Sequence, residues 1–169
     1  MLFLLVFGII ILTCFGLVVF RGAPYVPTLK RQRQQAFDEL YKVTSRDVVV
    51  DLGSGDGSLL RHAAARGAKA IGYELNPLLV LTSWLLGRQQ AKLVTTKWSD
   101  FWLEKLPVET TLVYVFINGR DMKRLEKYLR AHVSRSKRPL EVISYSFSLP
   151  PSLPAQKTLG PMHLYKLKP

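Results

Sequence analysis

The chain has 169 residues, a formal net charge of +12 and a single cysteine. That length holds one domain with a real core plus a small appendage. The lone Cys14 excludes an intramolecular disulfide framework, and the scattered His62, His132 and His163 offer no metal-ligand spacing. The charge favours anionic neighbours: nucleic acid, acidic protein surfaces or membrane head groups.

Met1 to Phe20 is an unbroken run of apolar and small residues. About 20 such residues cross a bilayer core as a helix. The run lacks the basic start and small-x-small site of a cleaved signal peptide, and lacks the polar face of a helix packed on a small domain. Arg21, Lys30, Arg31 and Arg33 follow it, which places the remainder on the cytoplasmic side by the positive-inside rule. The expectation is an uncleaved transmembrane anchor over residues 1–21, with a buried core helix as the alternative, and a domain over residues 22–169. Such a chain is a single-pass protein of a bacterial inner membrane or a mitochondrial membrane.

Gly22-Ala23-Pro24-Tyr25-Val26-Pro27-Thr28 is held extended by its prolines. It is either a linker or a segment that folds over a ligand, with Tyr25 offering a ring and a hydroxyl. Thr28 is a candidate cap for a helix over Leu29–Val43, whose Ala36, Phe37, Leu40 and Tyr41 keep helical spacing. Its basic start, Lys30-Arg31-Gln32-Arg33, either faces anionic lipid or is a solvated face.

Val48-Val49-Val50 then reads as a buried parallel strand that breaks into Asp51-Leu52-Gly53-Ser54-Gly55-Asp56-Gly57. Three glycines at alternate positions let the backbone turn tightly and approach a ligand. A helix from Ser58 to Ala65 follows, so the turn sits at free helical N–H groups. A second strand, Ala70 to Tyr73, ends at Glu74, where nucleotide folds place a ribose ligand. A dinucleotide site wants G-x-G-x-x-G, yet the third position of that spacing is Ser58. Asp51 and Asp56 would also repel a pyrophosphate, so a cationic ligand fits better.

Asn76 caps a helix from Pro77 to Arg88, with proline well suited to its start. This helix is apolar nearly all round, and either packs deeply or leans on a bilayer. Lys92–Lys97 is a third strand, followed by Trp98-Ser99-Asp100-Phe101-Trp102. Thr111–Phe116 is a fourth strand, Arg120–Val133 a charged helix, and Leu140–Tyr145 a fifth strand. Lys157–Leu159 and His163–Leu167 form a final hairpin after a proline-rich loop. The alternation predicts an α/β, Rossmann-like doubly wound sheet with its ligand at the strand C-termini.

The D-x-G-x-G-x-G turn resembles motif I of the class I S-adenosylmethionine (SAM) methyltransferases. That cofactor carries a sulfonium and an ammonium but no phosphate. The resemblance implies a turn of Asp51, Gly53, Ser54, Gly55, Asp56 and Gly57 around the cofactor, with Glu74 accepting from both ribose hydroxyls and Asn76 among the cofactor-binding residues. It also implies Asp100 at the adenine amino group with Phe101 covering the ring; alternatively Asp100 only caps the turn that follows. Pro24-Tyr25-Val26-Pro27-Thr28, the glycine turn and Gly72-Tyr73-Glu74-Leu75-Asn76-Pro77 together resemble a narrower family. Its members are small protein lysine methyltransferases, including membrane-anchored mitochondrial enzymes that modify the adenine nucleotide translocase and the ATP synthase c-subunit. This likeness brings Tyr25 to the cofactor and the substrate pocket.

Methyl transfer to a neutral amine is mainly a matter of placement. No dedicated base is therefore expected. A pocket of Tyr25, Phe101, Trp102 and Phe116 would desolvate the lysine ammonium and hold it against ring faces. The expected partners are a protein substrate, in the first place a membrane protein, and the bilayer through residues 1–21. Nucleic acid is not expected, since the basic residues are not interleaved with aromatics in a binding motif, and the chain is expected to act as a monomer. The alternatives are a methyltransferase of a small lipophilic substrate or of RNA.

Overall fold

Seven strands form one sheet in the order β3-β2-β1-β4-β5-β7-β6. The computed structural model describes residues 28–169 together with Met1 and Leu5. The expected anchor over residues 1–21 and the Tyr25 segment lie outside the described residues. Among the described residues, no helix is long and apolar enough to cross a membrane.

Strands β1 (Val48–Leu52), β2 (Lys69–Glu74), β3 (Val94–Trp98), β4 (Leu112–Val115) and β5 (Leu140–Tyr145) run parallel. The hairpin β6 (Lys157–Leu159) and β7 (Met162–Leu167) closes the sheet antiparallel to β5. The apolar runs of β1 and β4 become central strands because both of their faces are covered. The first helix, α1 (Lys30–Gln34), buries no side chain; on one face Val49, Ala70, Leu112, Tyr114 and Ile143 pack under Ala36, Phe37 and Leu40 of its continuation and under α2 (Ser58–Ala64). On the other, Val50, Leu52, Val113 and Val115 pack under Leu125, Leu129 and Val133 of α4 (Met122–Ser136). Helix α3 (Pro77–Gly87) lies along the β3 edge, with Leu79, Val80, Ser83 and Gly87 turned inward.

The first helix departs from the expected Leu29–Val43. After Gln34 it widens into a π-helical turn over Gln35–Leu40, and Tyr41 is extended. Asp47 supplies the reason. Its carboxylate accepts from Tyr41 Oη at 2.8 Å, Thr44 N at 2.8 Å and Thr111 Oγ1 at 2.8 Å, which draws the chain out of the helix toward β4. The third strand starts two residues later than expected, because the 3-10 turn Arg88–Gln90 is followed by a further turn in which Leu93 N donates to Gln90 O. The charged helix begins at Met122 and stops where Lys137 takes φ 55° and donates to Val133 O.

Candidate functional site

The strand order reverses between β1 and β4, and in such sheets the crevice at the strand C-termini receives the ligand. The glycine turn lies at that end of β1. Gly53 and Ser54 both donate to Tyr73 O at 3.0 Å, which lays the turn over the end of β2. Gly53, Gly55 and Gly57 have φ of 100°, 54° and 74°, a region where a side chain is strained. A Cβ at Gly53 would meet nothing within 4 Å, so open space lies above it. At Gly57 a Cβ would stand 2.0 Å from Ser83 Oγ, so this glycine is needed for packing against α3 as well.

Glu74 locks the turn. One carboxylate oxygen accepts from Gly55 N at 2.8 Å and the other from Asn76 N at 2.8 Å. Each oxygen keeps a second lone pair for a ligand hydroxyl. Asn76 caps α3 by accepting from Leu78 N at 3.0 Å. Among the described residues, its buried amide Nδ2 and the buried Ser54 Oγ have no hydrogen-bond partner.

Asp51 pairs in register with Gly72 on β2 and Tyr114 on β4. Burial, and then the charges of Glu74 and Asp56, push its carboxyl up from 3.8 to about 8. Every one of these influences acts against the ionised form, and a cation beside Asp51 would reverse them. The donor set therefore fits a ligand with a cationic group and hydroxyls, and does not suit a phosphate. Asp56 is engaged locally: it accepts from Ser58 N at 3.0 Å and forms an ion pair with Arg61 at 3.5 Å.

Asp100 accepts from Trp102 N at 3.0 Å and so caps the turn Phe101–Leu103. That local role does not engage its second oxygen. The expected aromatic pocket divides into two groups. Phe101 meets Trp102 at 4.5 Å and Tyr128 at 6.4 Å on the α4 side, with the Arg124 guanidinium 4.1 Å above Trp102. Phe116 instead stands perpendicular to Tyr145 at 5.4 Å, past the ends of β4 and β5. Tyr25 lies outside the described residues.

Three further contributors come from packing. Tyr145 Oη accepts from Gln32 Nε2 at 2.6 Å, so α1 is tied to the end of β5 beside Phe116. Tyr114, the register partner of Asp51, has its phenol held above its ordinary range by burial and by the Asp51 charge. Gly72 leaves room for the turn, since a Cβ there would stand 2.4 Å from Ser54 Oγ and 2.6 Å from Leu60 Cδ1. A glycine inside a strand was the available signal for that close approach.

The sequence profile of the ANTKMT methyltransferase domain matches residues 51–156. The chain belongs to that family. It is 34% identical over 133 residues to the ATP synthase c-subunit lysine N-methyltransferase of Xenopus laevis, covering 78% of this chain and 56% of that protein. The protein of the same name from Rattus norvegicus is 33% identical over 137 residues, covering 80% of this chain and 61% of its own length. The chain thus spans somewhat over half the length of these relatives. Among solved structures, an RNA methyltransferase from Salinibacter ruber in complex with S-adenosyl-L-homocysteine superposes with a TM-score of 0.71 and 26% identity, over 83% of this chain and 92% of that one. Geranyl diphosphate C-methyltransferase from Streptomyces coelicolor A3(2) shares the fold at a TM-score of 0.54 and 17% identity, over 68% of this chain and 44% of that one.

Proposed function

We propose that the chain is a SAM-dependent protein-lysine N-methyltransferase acting on a membrane or membrane-associated protein. The observation that carries this reading is the pairing of Asp51 and Glu74 at the C-termini of β1 and β2 under a glycine turn that suits a cation. The family match and the printed activity of the Xenopus and rat relatives supply the acceptor class. When bound, SAM supplies an electrophilic methyl group on a sulfonium, and a neutral lysine amine accepts it.

The chain's residues position and select. Asp51 attracts the cofactor's cationic end, and Glu74 accepts from its ribose hydroxyls while holding Gly55 in place. Asp100 and Phe101 take the adenine, and Phe116 with Tyr145 borders the acceptor side. Proximity and desolvation supply most of the rate, and no general base is assigned. The likeness of Pro24-Tyr25-Val26-Pro27-Thr28 to the family's segment supports a place for Tyr25 at the cofactor and the acceptor pocket. Residues 1–21 anchor a domain of residues 22–169 in a bacterial inner or mitochondrial membrane, with the domain on the cytoplasmic side of a bacterial one. The apolar run before the basic Arg21 supports that placement.

The Salinibacter neighbour and the net charge of +12 favour a second reading, methylation of RNA. Titrating SAM into the full chain and then following radiolabelled methyl groups into membranes separates the two. Micromolar binding with label in a protein band supports the proposal. Label in RNA supports the second reading, and absence of SAM binding refutes both.

A further inference from the structure

Helix α3 presents an apolar face that the described residues leave uncovered. Leu81, Trp84, Leu85 and Leu86 are 51%, 60%, 55% and 55% exposed, and Trp98 at the end of the adjoining edge strand is 69% exposed. Isolated exposed leucines need no explanation, but a contiguous set on one helix does.

The polar atoms of this region are turned back into the protein. Thr82 Oγ1 donates to Leu78 O at 2.8 Å, and Ser83 Oγ pairs with Thr96 Oγ1 at 2.6 Å. Trp84 Nε1 donates to Thr96 O at 3.0 Å and Trp98 Nε1 to Leu75 O at 2.9 Å. Both indole rings are therefore fixed in orientation with their N–H groups satisfied. Beside Trp84, between α3 and β3, is a hollow of about 200 Å³ lined by Gly87, Arg88, Ala91 and Val94. Ser83 and Thr96 complete its lining.

Charge decides among the candidate occupants. Between Glu74 and Asp100 the chain holds Arg88, Lys92 and Lys97 and no acidic residue. Lys97 is turned onto the Tyr73 ring at 5.5 Å, which leaves Arg88 and Lys92 for an outside partner. An apolar face with two tryptophans, no free side-chain donors on its helix and a cationic margin matches the boundary between acyl chains and anionic head groups. We infer that the outer face of α3, with Trp98, lies in the head-group region of an anionic bilayer. Because Asn76, the cap of α3, donates its N–H to Glu74, this contact would hold the mouth of the site against the membrane surface.

The test uses the full chain in vesicles of phosphatidylcholine and phosphatidylglycerol, with and without acyl chains brominated near the head group. Residues 1–21 contain no tryptophan, so fluorescence reports only on Trp84, Trp98 and Trp102. Emission is expected to fall by up to two thirds in brominated vesicles, the share of Trp84 and Trp98 among the three. Trp84→Phe with Trp98→Phe should abolish the fall. Leu85→Glu, at an exposed position that leaves the fold intact by circular dichroism, should reduce it severalfold. Equal emission in the two vesicle types would overturn the inference, as it would if a protein or the chain's own N-terminal segment covered this face. Quenching that persists in the double tryptophan variant, or unchanged in Leu85→Glu, would overturn it too. No methyl transfer is read, so this result is independent of the proposed activity.

Discussion

Replacing Asp51 by Asn should separate stability from ligand binding. In the folded chain burial, Glu74 and Asp56 raise the Asp51 carboxyl from 3.8 to about 8. The folded state then keeps a proton that the unfolded state releases. Stability from this group is present at low pH and is lost as pH rises through that window, by about 1.4 kcal/mol per pH unit. From about pH 5 to about pH 8 the loss approaches about 4 kcal/mol, an upper limit because neighbouring groups relax. For a chain of this size that corresponds to a fall in melting temperature on the order of 10 °C. Asn does not titrate, so Asp51→Asn should show a flatter pH profile and gain on the parent chain at alkaline pH, while losing SAM affinity. Saturating SAM should flatten the parent profile in the same way, since a bound cation favours the carboxylate. The assay is thermal unfolding of the full chain in detergent across this range, with and without ligand. Parallel profiles for parent and variant would refute the account of Asp51.

Glu74→Gln removes the charge and leaves one acceptor oxygen for two backbone donors, Gly55 N in the glycine turn and Asn76 N at the start of α3, so one charge-assisted bond of about 1.5–3 kcal/mol is lost and the other weakened. SAM affinity should fall at least tenfold by calorimetry. Gly57→Ala combines a left-handed φ of 74° with a Cβ 2.0 Å from Ser83 Oγ and should cost more than the about 1–2 kcal/mol of backbone strain alone, read by denaturant unfolding. Ser83→Gly in that background should recover only the steric part. Tyr145→Phe keeps the ring against Phe116 but loses the bond from Gln32, worth about 1 kcal/mol. Acceptor KM should rise with SAM affinity unchanged, and a matching loss of SAM affinity would move Tyr145 to the cofactor side.

The parallel core was legible in the chain because β1, β2 and β4 are short apolar runs broken by glycine or charge, the pattern of strands covered on both faces. Glu74 was legible too, since a glycine turn and an acidic strand end in sequence order define the crevice. The path after Leu40 was not, because it is set by Asp47 reaching forward to Thr111, a contact 64 residues away. Tyr145 and Gln32 are 113 residues apart, and neither belongs to a motif, so only the folded chain brings them together. The sequence suggests one aromatic pocket, but the turn after β3 packs Phe101 and Trp102 on Tyr128 of α4, while Phe116 packs on Tyr145. Helix α3 is apolar on all sides, so its sequence could not say which side faces out; its place at the β3 edge does.

The decisive measurement is the chemical identity of the methylated product. The full chain would be incubated with methyl-labelled SAM and membranes lacking the protein, and any labelled protein band hydrolysed to amino acids. The account predicts methyl-lysine in a discrete membrane protein, abolished by Glu74→Gln. Label in RNA or in extracted lipid, or on an amino acid other than lysine, would contradict it.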